Sequence, residues 1–205
     1  MIPYSTQTID NDDLEAVRDV LTSGYLTCGP LIRDFEEQVA AYVGAKYAVG
    51  VNSCTSALHL CMCAIGLKKG DRVFVSAISF VASANCARYL DADVDFIDVD
   101  KNTGNLDVDC LENMLIEAKK QNRLPKAVVA VHMSGRPVDL ERINRLKNEY
   151  GFYLIEYRHR PAFLPATAGE KPCGRALGRD RRHGRSDSRP QQQRHRKSRM
   201  VTALV

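Results

Sequence analysis

The chain has 205 residues, which corresponds to one domain or slightly more. Its 29 basic and 25 acidic side chains give a net charge of +4, but residues 157–205 hold 13 basic against three acidic side chains, whereas residues 1–156 hold 16 against 22. No apolar run approaches the roughly 18 residues of a membrane span, and no basic segment precedes an apolar core at the start, so we expect neither a membrane anchor nor a secretory signal. Seven cysteines, an odd number placed mostly among apolar or small residues, favour reduced cytoplasmic thiols over a disulfide framework.

Short apolar segments alternate with amphipathic segments up to residue 156. Leu14, Val17 and Leu21, for example, recur at helical spacing. Such alternation predicts βαβ units, and therefore an α/β domain with a mainly parallel sheet and flanking helices. The predicted elements in chain order are helices at 12–21 and 31–43, a strand at 47–51, a helix at 55–65, a strand at 72–76, a helix at 80–89, a strand at 94–99, a helix at 108–119, a strand at 127–132, a helix at 140–149 and a strand at 152–156.

Hydroxyl side chains follow the first predicted strand, where a helix begins at once. Ser53, Thr55 and Ser56 would join the free N–H groups of that helix N-terminus, an arrangement suited to a phosphate. The alternative is an ordinary N-cap by Ser53 with nothing bound. The Gly-rich dinucleotide fingerprint and the P-loop pattern are both absent from the sequence, which disfavours a dehydrogenase or an NTPase.

Two further side chains lie where parallel strands are predicted to end. Phe80 opens the helix that follows the strand at 72–76, so its ring either stacks on a flat heterocycle or packs in the core. His132 closes the strand at 127–132 and serves either a site or a structural hydrogen bond. Aspartates 91, 93, 95, 98 and 100 lack the spacing of a calcium loop, so we interpret them as a solvated edge rather than a metal site.

Seven segments carry a resemblance to a known family. They are LTCGP at 26–30, VNSCTSALHL at 51–60, GDRVFV at 70–75, ISFVASAN at 78–85, VDFIDVD at 94–100, VHMSG at 131–135 and LIE at 154–156. In order and spacing they resemble the DegT/DnrJ/EryC1/StrS sugar-nucleotide aminotransferases. The resemblance implies a truncated large domain of the aspartate aminotransferase type (fold type I), pyridoxal 5'-phosphate (PLP) as cofactor, glutamate and a nucleotide-sugar as substrates, a homodimer, a cytoplasmic location, and neither a membrane nor nucleic acid as partner.

The same resemblance assigns roles to five residues. Thr55 and Ser56 would hold the cofactor phosphate, Phe80 would stack on the pyridine ring, and Asn85 and His132 would line the cofactor pocket. The opening IPYSTQTID and the segment ISFVASAN most resemble the family branch of the pseudaminic-acid pathway, which aminates a UDP-linked 4-keto-6-deoxy sugar at C4. A GDP- or dTDP-linked 4-keto sugar is the alternative substrate.

The chain departs from the family pattern immediately after Glu156. The family has an Asp there, which binds the pyridine nitrogen, whereas this chain has Tyr157. The region where the family has its Schiff-base lysine contains none, and Lys197 does not match in its surroundings, so no catalytic residue is assigned. We therefore divide the chain into a partial large domain at 1–156 and an Arg-rich tail at 157–205, which we expect to be disordered or out of frame.

A shifted reading frame after Glu156 explains the change of composition and both missing residues with one event. The alternatives are an inactive remnant, or a protein with a genuine Arg-rich tail that binds nucleic acid or another anion. Tyr157 and Phe163 are the tail's only aromatic residues, which disfavours the stacking on bases that RNA binding uses.

Overall fold

The structure, a computed structural model, describes residues 8–158 and 200–204. These residues fall into two compact units, which are described separately. The first contains residues 8–50, and the second contains residues 51–158 with 200–204. No helix among the described residues is long and apolar enough to cross a bilayer.

The first unit contains helices α1 (Asn11–Thr22) and α2 (Pro30–Val43). Asp10 caps α1 through a capping box with Asp13, in which each carboxylate accepts a backbone N–H of the other residue. Proline at its first position begins α2, and Gly44 ends it in the left-handed conformation with φ of 67°. Both predicted helices are thus confirmed.

The second unit is a five-stranded sheet with helices on both faces. All strand pairs are parallel, and the strand order is β2-β1-β3-β4-β5. The elements in chain order are α3 (Cys54–Ala64), β1 (Arg72–Ser76), α4 (Ala82–Arg88), β2 (Asp93–Ile97), α5 (Val108–Lys120), β3 (Ala127–His132), a 3-10 turn (Met133–Gly135), α6 (Leu140–Tyr150), β4 (Tyr153–Arg158) and β5 (Met200–Leu204).

The alternation of side chains along each strand divides the core into two layers. Val73 and Val75 pack with α3 and α4, whereas Phe74 between them packs with α5 and α6. All three are fully buried, as expected of a parallel strand covered on both faces. The predicted α/β fold is therefore confirmed. The alternation of side chains between the two faces of each strand decides which core layer a residue joins.

The predicted strand at 47–51 is wrong. These residues form no regular structure, and Tyr47 and Val49 are 75% and 76% exposed. A strand needs a hydrogen-bonded neighbour, and no described strand pairs with this segment. The helix predicted from residue 80 begins instead at Ala82, so Phe80 precedes it.

The predicted boundary between residues 156 and 157 does not coincide with the end of a strand. β4 continues through Tyr157 and Arg158, which keep the strand's alternation, and Tyr157 is only 7% exposed. The tail was expected to form no strand, but β5 pairs in parallel with β4, with Glu156 opposite Thr202. The remaining tail residues, 159–199, lie outside the described residues.

Two phenylalanines on neighbouring strands provide a matched test of the core. Phe74 is fully buried, whereas Phe96 is 57% exposed. We expect Phe74→Ala to lower the free energy of unfolding by about 4 kcal/mol, because truncation leaves a cavity between β1 and α5. We expect Phe96→Ala to change it by less than about 1 kcal/mol. Urea denaturation of both variants measures the difference, and equal losses would contradict the assigned faces of the sheet.

Candidate functional site

The first turn of α3 carries the hydroxyl segment predicted to bind phosphate. The Ser53 hydroxyl accepts the N–H of Ser56 at 3.2 Å, so Ser53 is the N-cap. The N–H groups of Cys54 and Thr55 have no acceptor among the described residues. Two unpaired N–H groups and the positive end of the helix dipole thus face outward from this turn.

The hydroxyls of Thr55 and Ser56 stand beside these N–H groups. Ser56 Oγ donates to Asn52 Oδ1 at 2.8 Å and lies 3.0 Å from Ser53 Oγ. The Thr55 hydroxyl makes no hydrogen bond to a described residue, and both side chains are half-buried. Thr55 and Ser56 are therefore brought together at a turn that can bind an anion.

Phe80 lies in the segment between β1 and α4. Its side chain is 61% exposed, so it is not a core phenylalanine, and its carbonyl accepts the N–H of Ser83 at 2.9 Å. An exposed ring remains available for stacking on a ligand.

Asn85 lies in α4 and lines a different part of the molecule from Thr55 and Ser56. It faces a cavity of about 620 Å³ that runs along β2 and includes no residue of α3. The edge of β2 is solvated, as predicted, since Asp91, Asp93 and Asp98 are exposed, and two aspartates of β2 form ion pairs there. Asp93 pairs with Arg123 at 3.2 Å, and Asp95 pairs with Arg72.

His132 lies on the sheet face that packs with α5 and α6, opposite to α3. Its side chain is buried, and its Nε2 lies 3.1 Å from Glu156 Oε2. Because Nδ1 accepts the N–H of Val138 at 3.2 Å, Nε2 must carry the proton and donate to Glu156. His132 thus makes buried hydrogen bonds and is not brought to the first turn of α3, and its place in a cofactor pocket stays a prediction.

Asn105 holds the loop after His132, a role that sequence reasoning missed. Its buried amide nitrogen donates to the carbonyls of Arg136 and Pro137, and its Oδ1 accepts the N–H of Met133 at 2.9 Å. The positive φ of Gly104, 69°, is the only local signal of a tight turn before it. Its partners are distant in sequence, so spacing alone could not identify them.

Glu156 is a buried carboxylate with two donors. Its side chain is 2% exposed, and Arg158 donates to the same oxygen as His132, at 2.7 Å. Burial disfavours its charged form, but the hydrogen bonds from His132 and Arg158 prevail and hold the pKa of Glu156 below its usual range. The anion is therefore the resting form in the core.

Tyr157 lies on the other face and contacts α3. Cys54 packs against the core layer that contains Tyr157, which brings the start of α3 to the carboxyl end of β4. Burial raises the pKa of Tyr157, and the neighbouring Cys54 raises it further, so the phenol is neutral at physiological pH. Sequence analysis identified Tyr157 as a departure, but not its partner Cys54.

The cysteines of α3 and α4 are mostly packing residues. Burial raises the pKa of Cys61 to about 11 and that of Cys86 to about 12, so both stay as thiols. Cys63 differs, because it is exposed and its Sγ lies 3.7 Å from His59 Nε2.

Comparison with known proteins places the described sheet in a recognisable family. Residues 7–160 match the sequence model of the DegT/DnrJ/EryC1/StrS aminotransferase family. The spore coat polysaccharide biosynthesis protein SpsC of Bacillus subtilis (strain 168) is 39% identical over 155 residues, which are 76% of this chain and 38% of SpsC. The UDP-4-amino-4,6-dideoxy-N-acetyl-beta-L-altrosamine transaminase of Campylobacter jejuni (strain 81-176) is 38% identical over 156 residues, which are 76% of this chain and 40% of that enzyme.

A solved structure shows the same similarity in three dimensions. The E. coli GDP-4-keto-6-deoxy-D-mannose-3-dehydratase with bound hydrated PLP is 30% identical, with a TM-score of 0.68, over 75% of this chain and 40% of that chain. The chain thus spans about two fifths of the length of these relatives.

Replacing the buried carboxylate tests its role in stability. Glu156→Gln removes the counter-charge of Arg158, and we expect it to lower the free energy of unfolding by about 3 kcal/mol at pH 7. The pKa of Glu156 is lowered on folding, so its contribution is complete above the unfolded value of about 4.3 and is lost as the pH falls through the folded value. The difference between wild type and variant should therefore shrink below about pH 4.

Urea denaturation at several pH values measures this difference. Glu117→Gln is the control, because Glu117 is an exposed carboxylate paired with Lys120 on the surface of α5. We expect the control to keep the wild-type unfolding midpoint at neutral pH. A Glu156→Gln deficit that stays constant down to pH 3 would contradict the ion-pair account.

Proposed function

The chain belongs to the DegT/DnrJ/EryC1/StrS aminotransferase family, and from this membership we propose that it carries the cofactor-phosphate site of a nucleotide-sugar aminotransferase. Members of this family are PLP-dependent sugar aminotransferases. The observation that supports the proposal is the first turn of α3, which carries two unpaired N–H groups and the unpaired Thr55 hydroxyl, with the Ser56 hydroxyl beside them hydrogen-bonded to Asn52. A dianionic phosphate is the ligand that such a turn favours.

The residues present fit the phosphate of PLP but not its pyridine ring. A protonated ring nitrogen requires an anionic partner. At the carboxyl end of β4, the described residue on the α3 face is the neutral phenol of Tyr157, which lies in the core layer against which Cys54 packs. The nearby carboxylate, Glu156, lies on the other face and already binds His132 and Arg158. Within residues 8–158, the ring nitrogen of PLP therefore lacks a matching anionic partner at this position, and we derive no catalytic step through the cofactor.

The intact form of this protein, we propose, transfers an amino group from glutamate to C4 of a UDP-linked 4-keto-6-deoxy sugar. The 38% identity to the Campylobacter jejuni altrosamine transaminase supports this substrate. The 30% identity to a dehydratase of GDP-4-keto-6-deoxy-D-mannose supports a GDP-linked sugar as the second candidate. From the same family resemblance, we propose that the intact protein is a cytoplasmic homodimer. Its pathway would be surface-polysaccharide or nonulosonate biosynthesis.

The chain as written is proposed to be inactive in transamination. The family Asp is replaced by Tyr157, and Lys197, the lysine nearest to the expected Schiff-base region, lies outside the described residues. A shifted reading frame after Glu156 accounts for both. Sequencing the DNA across codons 150–205 tests this point. An unbroken frame that encodes the same tail would rule out the frameshift and leave two alternatives, an inactive remnant or a protein whose Arg-rich tail binds nucleic acid or another anion.

Phosphate binding tests the proposed site in the chain as it exists. We expect Thr55→Val to weaken the binding of inorganic phosphate about threefold to tenfold, because one hydroxyl donor is lost while the backbone donors remain. Thr22→Val, at the C-terminal end of α1, is the control and should leave the affinity unchanged. Phosphorus NMR titration measures both dissociation constants. Equal affinities in wild type and Thr55→Val would contradict the assignment of Thr55.

Restoring the reading frame tests the proposed reaction. With an Asp after Glu156 and the downstream lysine in frame, we expect glutamate-dependent amine transfer to a UDP-linked 4-keto-6-deoxy sugar. The assay compares UDP-, dTDP- and GDP-linked 4-keto sugars by following the aminated product. If the repaired protein binds PLP but transfers an amino group to none of these sugars, the family fold would stand and the proposed substrate class would be wrong.

A further inference from the structure

His59 and Cys63 form an imidazole–thiol pair on one side of α3. The two residues are four positions apart, so their side chains are neighbours on successive turns of the helix. Cys63 is exposed, and its Sγ lies 3.7 Å from His59 Nε2. We propose that this pair chelates a borderline-soft divalent cation of the Zn²⁺ class. The inference goes beyond the proposed phosphate site and does not rest on it.

The distance between the two ligand atoms matches a tetrahedral metal centre. Zinc binds thiolate sulfur at about 2.3 Å and imidazole nitrogen at about 2.0–2.1 Å, and a tetrahedral angle of about 109° then places sulfur and nitrogen about 3.5 Å apart. The observed separation of 3.7 Å is close to this value. One cation can therefore bind both atoms after a small rotation of either side chain.

The surroundings of His59 determine which ring nitrogen a cation can reach. The imidazole packs edge-on against Tyr89, with ring centroids 5.5 Å apart and an angle of 78° between the ring planes. Nδ1 is buried and has no hydrogen-bond partner among the described residues, whereas Nε2 faces the exposed thiol of Cys63. The packing thus leaves Nε2 as the accessible ligand atom.

The end of α3 favours a cation of this class. Cys63 lies in the last turn of the helix, where the negative end of the helix dipole is located. This turn contains no basic side chain that would repel the ion. Thiolate and imidazole ligands suit Zn²⁺, whereas Mg²⁺ requires oxygen ligands. The pair therefore selects Zn²⁺ over Mg²⁺.

Binding has a defined proton balance. Cys63 loses its thiol proton to the buffer as the sulfur–metal bond forms, and the neutral His59 carries its proton on Nδ1. Because Nδ1 has no acceptor among the described residues, the ligand lacks the outer-shell hydrogen bond that strengthens most histidine ligands. The described residues contain no group of three or more side chains that could hold a metal, so water completes the coordination shell. We therefore expect a weak, exchangeable site.

The experiment measures how fast iodoacetamide alkylates individual cysteines of the full chain with and without Zn²⁺. Cys28 is the control within the same molecule, because it is also exposed but lies between α1 and α2. A metal-bound thiolate is a poor nucleophile, so we expect Zn²⁺ to slow the alkylation of Cys63 at least about tenfold and that of Cys28 less than about twofold. EDTA should restore both rates, and Mg²⁺ should slow neither. Mass spectrometry of the peptides gives each rate.

Removing the imidazole distinguishes chelation from binding to a single thiol. His59→Phe keeps an aromatic ring against Tyr89 but has no nitrogen ligand, so we expect Zn²⁺ to protect Cys63 in this variant no more than it protects Cys28. Equal protection of Cys63 and Cys28 in the wild-type chain would overturn the proposal, and this measurement needs no variant to fold. Protection of Cys63 that persists unchanged in folded His59→Phe would also overturn it. Neither result depends on phosphate binding.

Discussion

The site depends on the alternation of side chains at the carboxyl end of β4. Successive residues of a strand point to opposite faces, so Glu156 and Tyr157 are separated by the sheet although they are adjacent in sequence. Glu156 joins His132 and Arg158 beneath α5 and α6, whereas Tyr157 contacts Cys54 at the start of α3. One face therefore holds a buried network of charged and polar side chains, and the other holds the N-terminus of α3 beside a neutral phenol.

The family relationship explains why these features coexist. Residues 7–160 match an aminotransferase family, and the first turn of α3 lies well within that match. Tyr157 is near its end, where the composition changes to Arg-rich sequence. The sheet tolerates the change because a tyrosine fits a buried strand well, and Tyr157 joins the core layer shared with α3 and α4. The chain thus retains the fold, but Tyr157 does not supply the negative charge that the resemblance implies for an Asp at this position.

Local patterns predicted most of the fold and only part of the site. Helix caps and strand alternation are local, so α1 to α6 and β1 to β4 were found near their observed bounds. The strand at 47–51 failed because pairing is a non-local requirement. The helix N-terminus at Thr55 and Ser56 was predicted correctly because capping residues are visible in sequence, whereas phosphate binding there stays a prediction. The environments of His132 and Asn85 could not be predicted, because the alternation of a strand and the position of a helix decide whether a residue faces α3, α5 or the cavity along β2.

The central claim is that the chain keeps the phosphate site of its family without the residues that hold the rest of the cofactor. The most direct measurement is to add PLP, dialyse, reduce with borohydride and map the labelled peptides. The account predicts that no aldimine absorbance survives dialysis and that any label is scattered over surface lysines. A stable absorbance with the label on one specific lysine, such as Lys197, would contradict it.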